Sequence, residues 1–112
     1  MNSETMTGES PRTDRRQFPR RQFRAKLEIE WGSATLTATV RDIGPQGLFA
    51  ELTPPLWVGA AFRARLVVNP ILQLDCTVRR VEPGVGIAVI FEVPEENGKA
   101  QLEALLAALP QV

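Results

Sequence analysis

Histidine and tyrosine are absent from this chain, and cysteine occurs once, as Cys76. Without histidine there is no imidazole to activate a nucleophile, shuttle a proton or ligate zinc. A single thiol closes no internal disulfide and builds no thiolate metal site. An excess of charge is also missing: 13 basic residues balance 13 acidic ones, for a net charge of zero. Such a balance gives the molecule as a whole no general affinity for nucleic acid or an anionic membrane, so any anion binding must be local. No apolar run approaches the ~18 residues that span a bilayer. There is no apolar leader core either, and the expectation is a cytoplasmic protein. Together these absences point to a binding module and away from an enzyme.

What is present is one strong concentration of charge. Seven of the 13 basic residues lie between Arg12 and Lys26, against the single acidic residue Asp14. Residues 1–11 are small and polar, without apolar periodicity, and are expected to form a disordered tail. Residues 12–112 are expected to form a single domain: a basic arm over 12–25, a β-barrel over 26–93 and a helix over 95–109. With 112 residues the chain can bury roughly two-thirds of its unfolded surface, enough for one core.

Past the arm the apolar residues alternate. Leu27, Ile29 and Trp31 alternate with Glu28 and Glu30; after Gly32-Ser33, Leu36, Ala38 and Val40 alternate with threonines. This is the pattern of a hairpin with one face buried. Strands are also expected at 48–52, 62–68, 72–81 and 85–91, separated by Gly- and Pro-containing turns, with Trp57 folding over one end of the core. Six short strands at 8 to 12 residue spacing suit a small antiparallel barrel. Leu102, Leu105, Leu106 and Leu109 then form the stripe of an amphipathic helix, ending before Pro110. That stripe is expected to close the barrel or cover an edge strand, and not to bind a partner.

Two pieces carry chemistry. The first is Arg16-Gln17-Phe18-Pro19-Arg20, in which proline keeps two guanidiniums, four residues apart, on an extended segment. The second is Asp42-Ile43-Gly44-Pro45-Gln46-Gly47, a strand end whose glycines allow a ligand close to the backbone. A guanidinium clamps a phosphate, bonds the O6 and N7 edge of guanine, or stacks on a base. A carboxylate accepts from guanine N1–H and N2–H. Such a set is suited to a guanine nucleotide carrying several phosphates.

These pieces resemble the two signature motifs of the PilZ domain family, bacterial receptors for the second messenger cyclic di-GMP: RxxxR in an N-terminal arm and [D/N]xSxxG at a strand end. Arg16 and Arg20 match the first motif, with Arg15 preceding, and Asp42 and Gly47 match the ends of the second. The sequences around 40–43, 47–49 and 86–91 and the Leu-rich terminal segment are similar too. The resemblance implies a six-stranded antiparallel β-barrel with one C-terminal helix and a mobile basic arm. It implies a non-enzymatic receptor without cofactor whose ligand is cyclic di-GMP. Arg15, Arg16, Arg20, Asp42, Gly44 and Gly47 would line the site, and the arm would order on binding and alter contact with a downstream protein partner. Gly44 stands where the family's motif has serine. Loss of one neutral hydrogen bond, ~0.5–1.5 kcal/mol, weakens binding by up to about tenfold without abolishing it.

Two other readings compete with this one. A PilZ-like adaptor that has lost its ligand would dock a partner through its helix or arm. A small barrel could instead bind single-stranded nucleic acid, but zero net charge and few aromatics argue against that.

Overall fold

The computed structural model describes residues 20–52 and 56–109. Among these residues six strands and one helix follow in order: β1 Arg21–Trp31, β2 Ala34–Ile43, β3 Gly47–Glu51, β4 Ala61–Leu66, β5 Leu72–Glu82, β6 Gly86–Glu92 and α1 Glu96–Ala108. The strands close into an antiparallel barrel in the order β1-β2-β3-β6-β5-β4, with β4 pairing back onto β1. Closure leaves no free edge. The tail expected over residues 1–11 lies outside the described residues, as do Arg15 and Arg16.

Alternation puts Leu27, Ile29, Val40, Leu66, Leu74 and Val89 inside, all at most 1% exposed. On the outside, Arg65 of β4 spans two glutamates of the neighbouring strand, Nε to Glu28 at 3.2 Å and Nη1 to Glu30 at 2.7 Å. Both contacts follow from the register, which sets Glu28 opposite Arg65. The two carboxylates push the Arg65 pKa up, Glu30 more than Glu28.

Cys76 is 2% exposed, between Leu74 and Val78 on the inner face of β5. Burial, with a smaller contribution from the charge of Asp75, pushes its thiol up to about 12. A thiol held protonated is a poor nucleophile. Iodoacetamide at pH 8 should therefore label the folded protein more than about tenfold slower than the urea-unfolded chain. Equal rates would mean that β5 does not bury this position.

The first strand begins earlier than the alternation suggested. Arg21 to Ala25, expected to belong to the arm, extend β1, because Phe23 and Ala25 continue the inward row and pack against the core. Trp57 also departs from expectation: it is 60% exposed, with its ring edge-on to Trp31 at 5.0 Å, on the surface and not over the core.

The helix packs by its first turn. A Cβ on Gly98 would come within 2.6 Å of Val93 and 3.2 Å of Leu72, so glycine in the first turn sets the closeness of helix to barrel. Of the leucine stripe only Leu102 is buried; Leu105, Leu106 and Leu109 are half-covered. The last turn has no basic residue. Arg21 supplies the missing charge, donating from Nη1 to the Leu109 carbonyl at 3.0 Å and so satisfying the negative end of the helix. No helix among the described residues is long and apolar enough to cross a membrane.

Candidate functional site

Val40 and Ile43 both point inward although three residues apart. Strict alternation forbids this, and a β-bulge resolves it: Val40 pairs with Ala50 and Asp42 with Phe49, which leaves Arg41 as the extra residue. Arg41 and Asp42 therefore share the outer surface against one partner residue. The Arg41 guanidinium carbon lies 4.2 Å from the centre of the Phe49 ring. Phe49 is on the outside of the barrel yet only 3% exposed. A cation over such a ring contributes ~0.5–1 kcal/mol at a site this close to water.

The first strand bulges at the same level, with Gln22 opposite Asp42 and Ala25 opposite Val40. Arg20, immediately before this strand, places Nη1 2.5 Å from Oδ1 of Asp42. The two side chains are 28% and 24% exposed. Arg24, which repeats the four-residue spacing from Arg20, reaches instead to Glu51 at 3.3 Å on the open surface.

The turn that follows is tied down at both ends. Gly44 donates its N–H to the Gly47 carbonyl at 2.8 Å, and Phe91 of β6 donates to the Gln46 carbonyl at 2.9 Å. The Gly44 N–H is thus used within the turn. Gly47 has a steric role: a Cβ there would lie 2.7 Å from the Val89 carbonyl oxygen and 3.6 Å from Nη2 of Arg20. Glycine lets β3 press onto β6 and lets the Arg20 guanidinium lie close over the strand.

Beyond Gly47 the outer row runs through Ile90, Thr77 and Ala61, each opposite the last in register. This row floors a surface cavity of about 810 Å³. Arg63 and Arg79 stand over the cavity, with Asp75 and Glu92 at its rim and Gln46 joining it to the glycine turn. Arg79 is there because β5 bulges between Val78 and Arg80. Among the described residues neither Arg63 nor Arg79 makes an ion pair.

Of the six residues singled out from the motifs, four are described: Arg20, Asp42, Gly44 and Gly47 gather within one patch. Sequence reasoning missed Arg41, Phe49, Arg63, Arg79 and Ile90 as neighbours of that patch. The adjacency of Arg41 to Asp42 was visible; the bulges and pairings that bring the others in were not.

Comparison with known proteins agrees with this architecture. The PilZ domain of CeSA from a cellulose-synthesizing bacterium superposes with a TM-score of 0.62 at 21% identity, covering 77% of this chain and 92% of that one. YcgR from Escherichia coli, solved in complex with c-di-GMP, superposes with a TM-score of 0.70 at 16% identity over 84% of this chain and 45% of that one. MrkH of K. pneumonia, solved as a c-di-GMP complex, gives 0.68 at 16% identity over 82% and 50%. The chain thus spans about half the length of YcgR and of MrkH. Comparison with curated proteins returned no match. The sequence model of the PilZ domain matches residues 14–108, from the basic arm through the terminal helix. The chain belongs to the PilZ domain family.

Proposed function

We propose that this domain is a non-enzymatic receptor for cyclic di-GMP. The observation that carries the reading is the position of Arg20: it is held at 2.5 Å by Asp42 and overhangs the side-chain-free surface of Gly47, whose register partner Ile90 lines a cavity that has two arginines of its own. Family membership and the c-di-GMP complexes of YcgR and MrkH, which share the fold, support the same ligand.

In this reading Arg16 and Arg20 take phosphates and guanine edges, and Arg15 adds charge. Arg20 engages Oδ1 of Asp42, which leaves Oδ2 to accept from guanine N1–H or N2–H. Gly47 leaves room for a base or phosphate over β3, and Gly44 shapes the turn from which it rises. Arg63 and Arg79 extend the anion site along the cavity, while Ile90 offers it an apolar floor. The output is a change in how the arm lies against the barrel, and with it a change in the surface offered to a downstream protein partner.

Calorimetric titration with cyclic di-GMP at near-physiological salt tests the assignment. Saturable binding is expected with a Kd of about a micromolar. Arg16→Ala should weaken it about tenfold or more, the loss of at least one charge-assisted bond. A parent protein that binds nothing at ~100 micromolar ligand would overturn the assignment and leave the adaptor reading in its place.

A further inference from the structure

A second cavity, of about 540 Å³, lies on the other side of the glycine turn, between Pro45-Gln46 and the helix. Its walls are apolar, with Phe91 and Val93 from the barrel end and Leu102 and Leu106 from α1. Leu106 is only half-covered: it packs against the core on one side and lines this groove on the other. Glu92 and Glu103 edge the groove. Among the described residues its one cation, Lys99, lies 3.2 Å from Glu96.

We propose that this groove is the seat of Phe18, so that the segment before Arg20 is docked against the helix of its own chain in the free protein. Three observations converge on that occupant. The first is reach. Arg20 is fixed on Asp42 at the turn and Arg21 on the Leu109 carbonyl at the helix end, so the chain enters the barrel between the same turn and the same helix that wall the groove. Two residues of extended chain give Phe18 a reach of about 7 Å from Arg20. The second is composition. Phe18 is the one large apolar side chain among residues 7–22, and an exposed phenyl ring gains by entering an apolar slot. The third is charge. The segment brings Arg12, Arg15 and Arg16 against Asp14 alone, to a groove edged by two glutamates. The docked ring also covers the part of Leu106 that packing against the core leaves exposed.

Nuclear Overhauser spectroscopy on the isotopically labelled full chain, without ligand, tests this directly. Contacts are expected from the Phe18 ring to the methyl groups of Leu102 and Leu106, and Phe18→Ala should remove them. That substitution should also speed amide exchange in the second half of α1 by about tenfold while leaving the strands unchanged. A mixture of labelled and unlabelled protein separates the two possible sources of the contact: contacts between different copies would overturn docking within one chain and assign the groove to a second copy. Absence of the contacts, together with unchanged exchange in Phe18→Ala, would overturn the proposal altogether. None of these outcomes depends on whether cyclic di-GMP binds.

Discussion

Arg20→Ala is expected to weaken cyclic di-GMP binding by about a hundredfold and to leave the stability of the domain almost unchanged. The size of the binding loss follows from the chemistry of the group. Each hydrogen bond to a charged partner contributes ~1.5–3 kcal/mol when the complex forms, and 1.4 kcal/mol is about a factor of ten. The small stability effect follows from exposure: the Arg20 and Asp42 side chains retain 28% and 24% of their surface in water, where an ion pair contributes only ~0–1 kcal/mol. Arg20→Lys should recover only a fraction of the affinity, since an ammonium keeps the charge but not the planar fork. Asp42→Asn then separates two roles. If Asp42 acts only by holding Arg20, its effect vanishes once Arg20 is alanine; if it also accepts from guanine, part of its loss persists in the double variant. Unaltered affinity in Arg20→Ala would remove Arg20 from the site, and with it the reading of the patch.

Much of this patch could be read in the chain, and the unread part has a definite physical cause. Alternation identified the inward residues of most strands, because a residue flanked by charged or threonine neighbours has only one apolar face to offer. It failed at Arg21 to Ala25, where the density of charge hid an alternation that Phe23 and Ala25 in fact continue. It was silent at β3, whose Leu48-Phe49-Ala50 run is apolar throughout. There the faces are decided by pairing: Leu48 and Ala50 enter the core, and Phe49 turns outward to lie beneath Arg41. Motif spacing brought out Arg20, Asp42 and Gly47. It could not bring in Arg63 and Arg79, which reach the cavity only because β6 lies between β3 and β5 in the closed barrel and because β5 bulges. A pattern along one strand carries no record of its neighbour, and a bulge is a single inserted residue with no compositional mark here.

The largest loss of stability is expected from Gly86→Ala, at the opposite end of β6 from the glycine turn. A Cβ at Gly86 would stand 2.2 Å from the Ala50 carbonyl oxygen and 2.9 Å from Cε2 of Phe49. The ring edge can tilt; the carbonyl belongs to the β3 backbone, paired with β6 through Ala50 and Ile87, and can move only if the ladder moves. Overpacking of a rigid site costs ~1–3 kcal/mol and more where backbone must shift, so a loss of at least ~3 kcal/mol is expected. For a domain near 100 residues that lowers Tm by more than about 12 °C. Two comparisons isolate the cause. Gly32→Ala, at φ +61° with nothing within 4 Å, should cost only the ~1–2 kcal/mol of a left-handed backbone. Adding Phe49→Leu to Gly86→Ala relieves the ring contact but not the carbonyl contact, and should recover less than half of the loss. Recovery to near the parent Tm would make the ring the obstacle, and a Gly86→Ala protein melting within about 3 °C of the parent would mean that β3 and β6 are not pressed together here. The same displacement should reach the ligand: Phe49 lies opposite Asp42 in the ladder and beneath Arg41, so moving β3 shifts the acid that holds Arg20. At a temperature where both proteins are folded, Gly86→Ala should therefore bind cyclic di-GMP more weakly than the parent, although residue 86 touches neither motif.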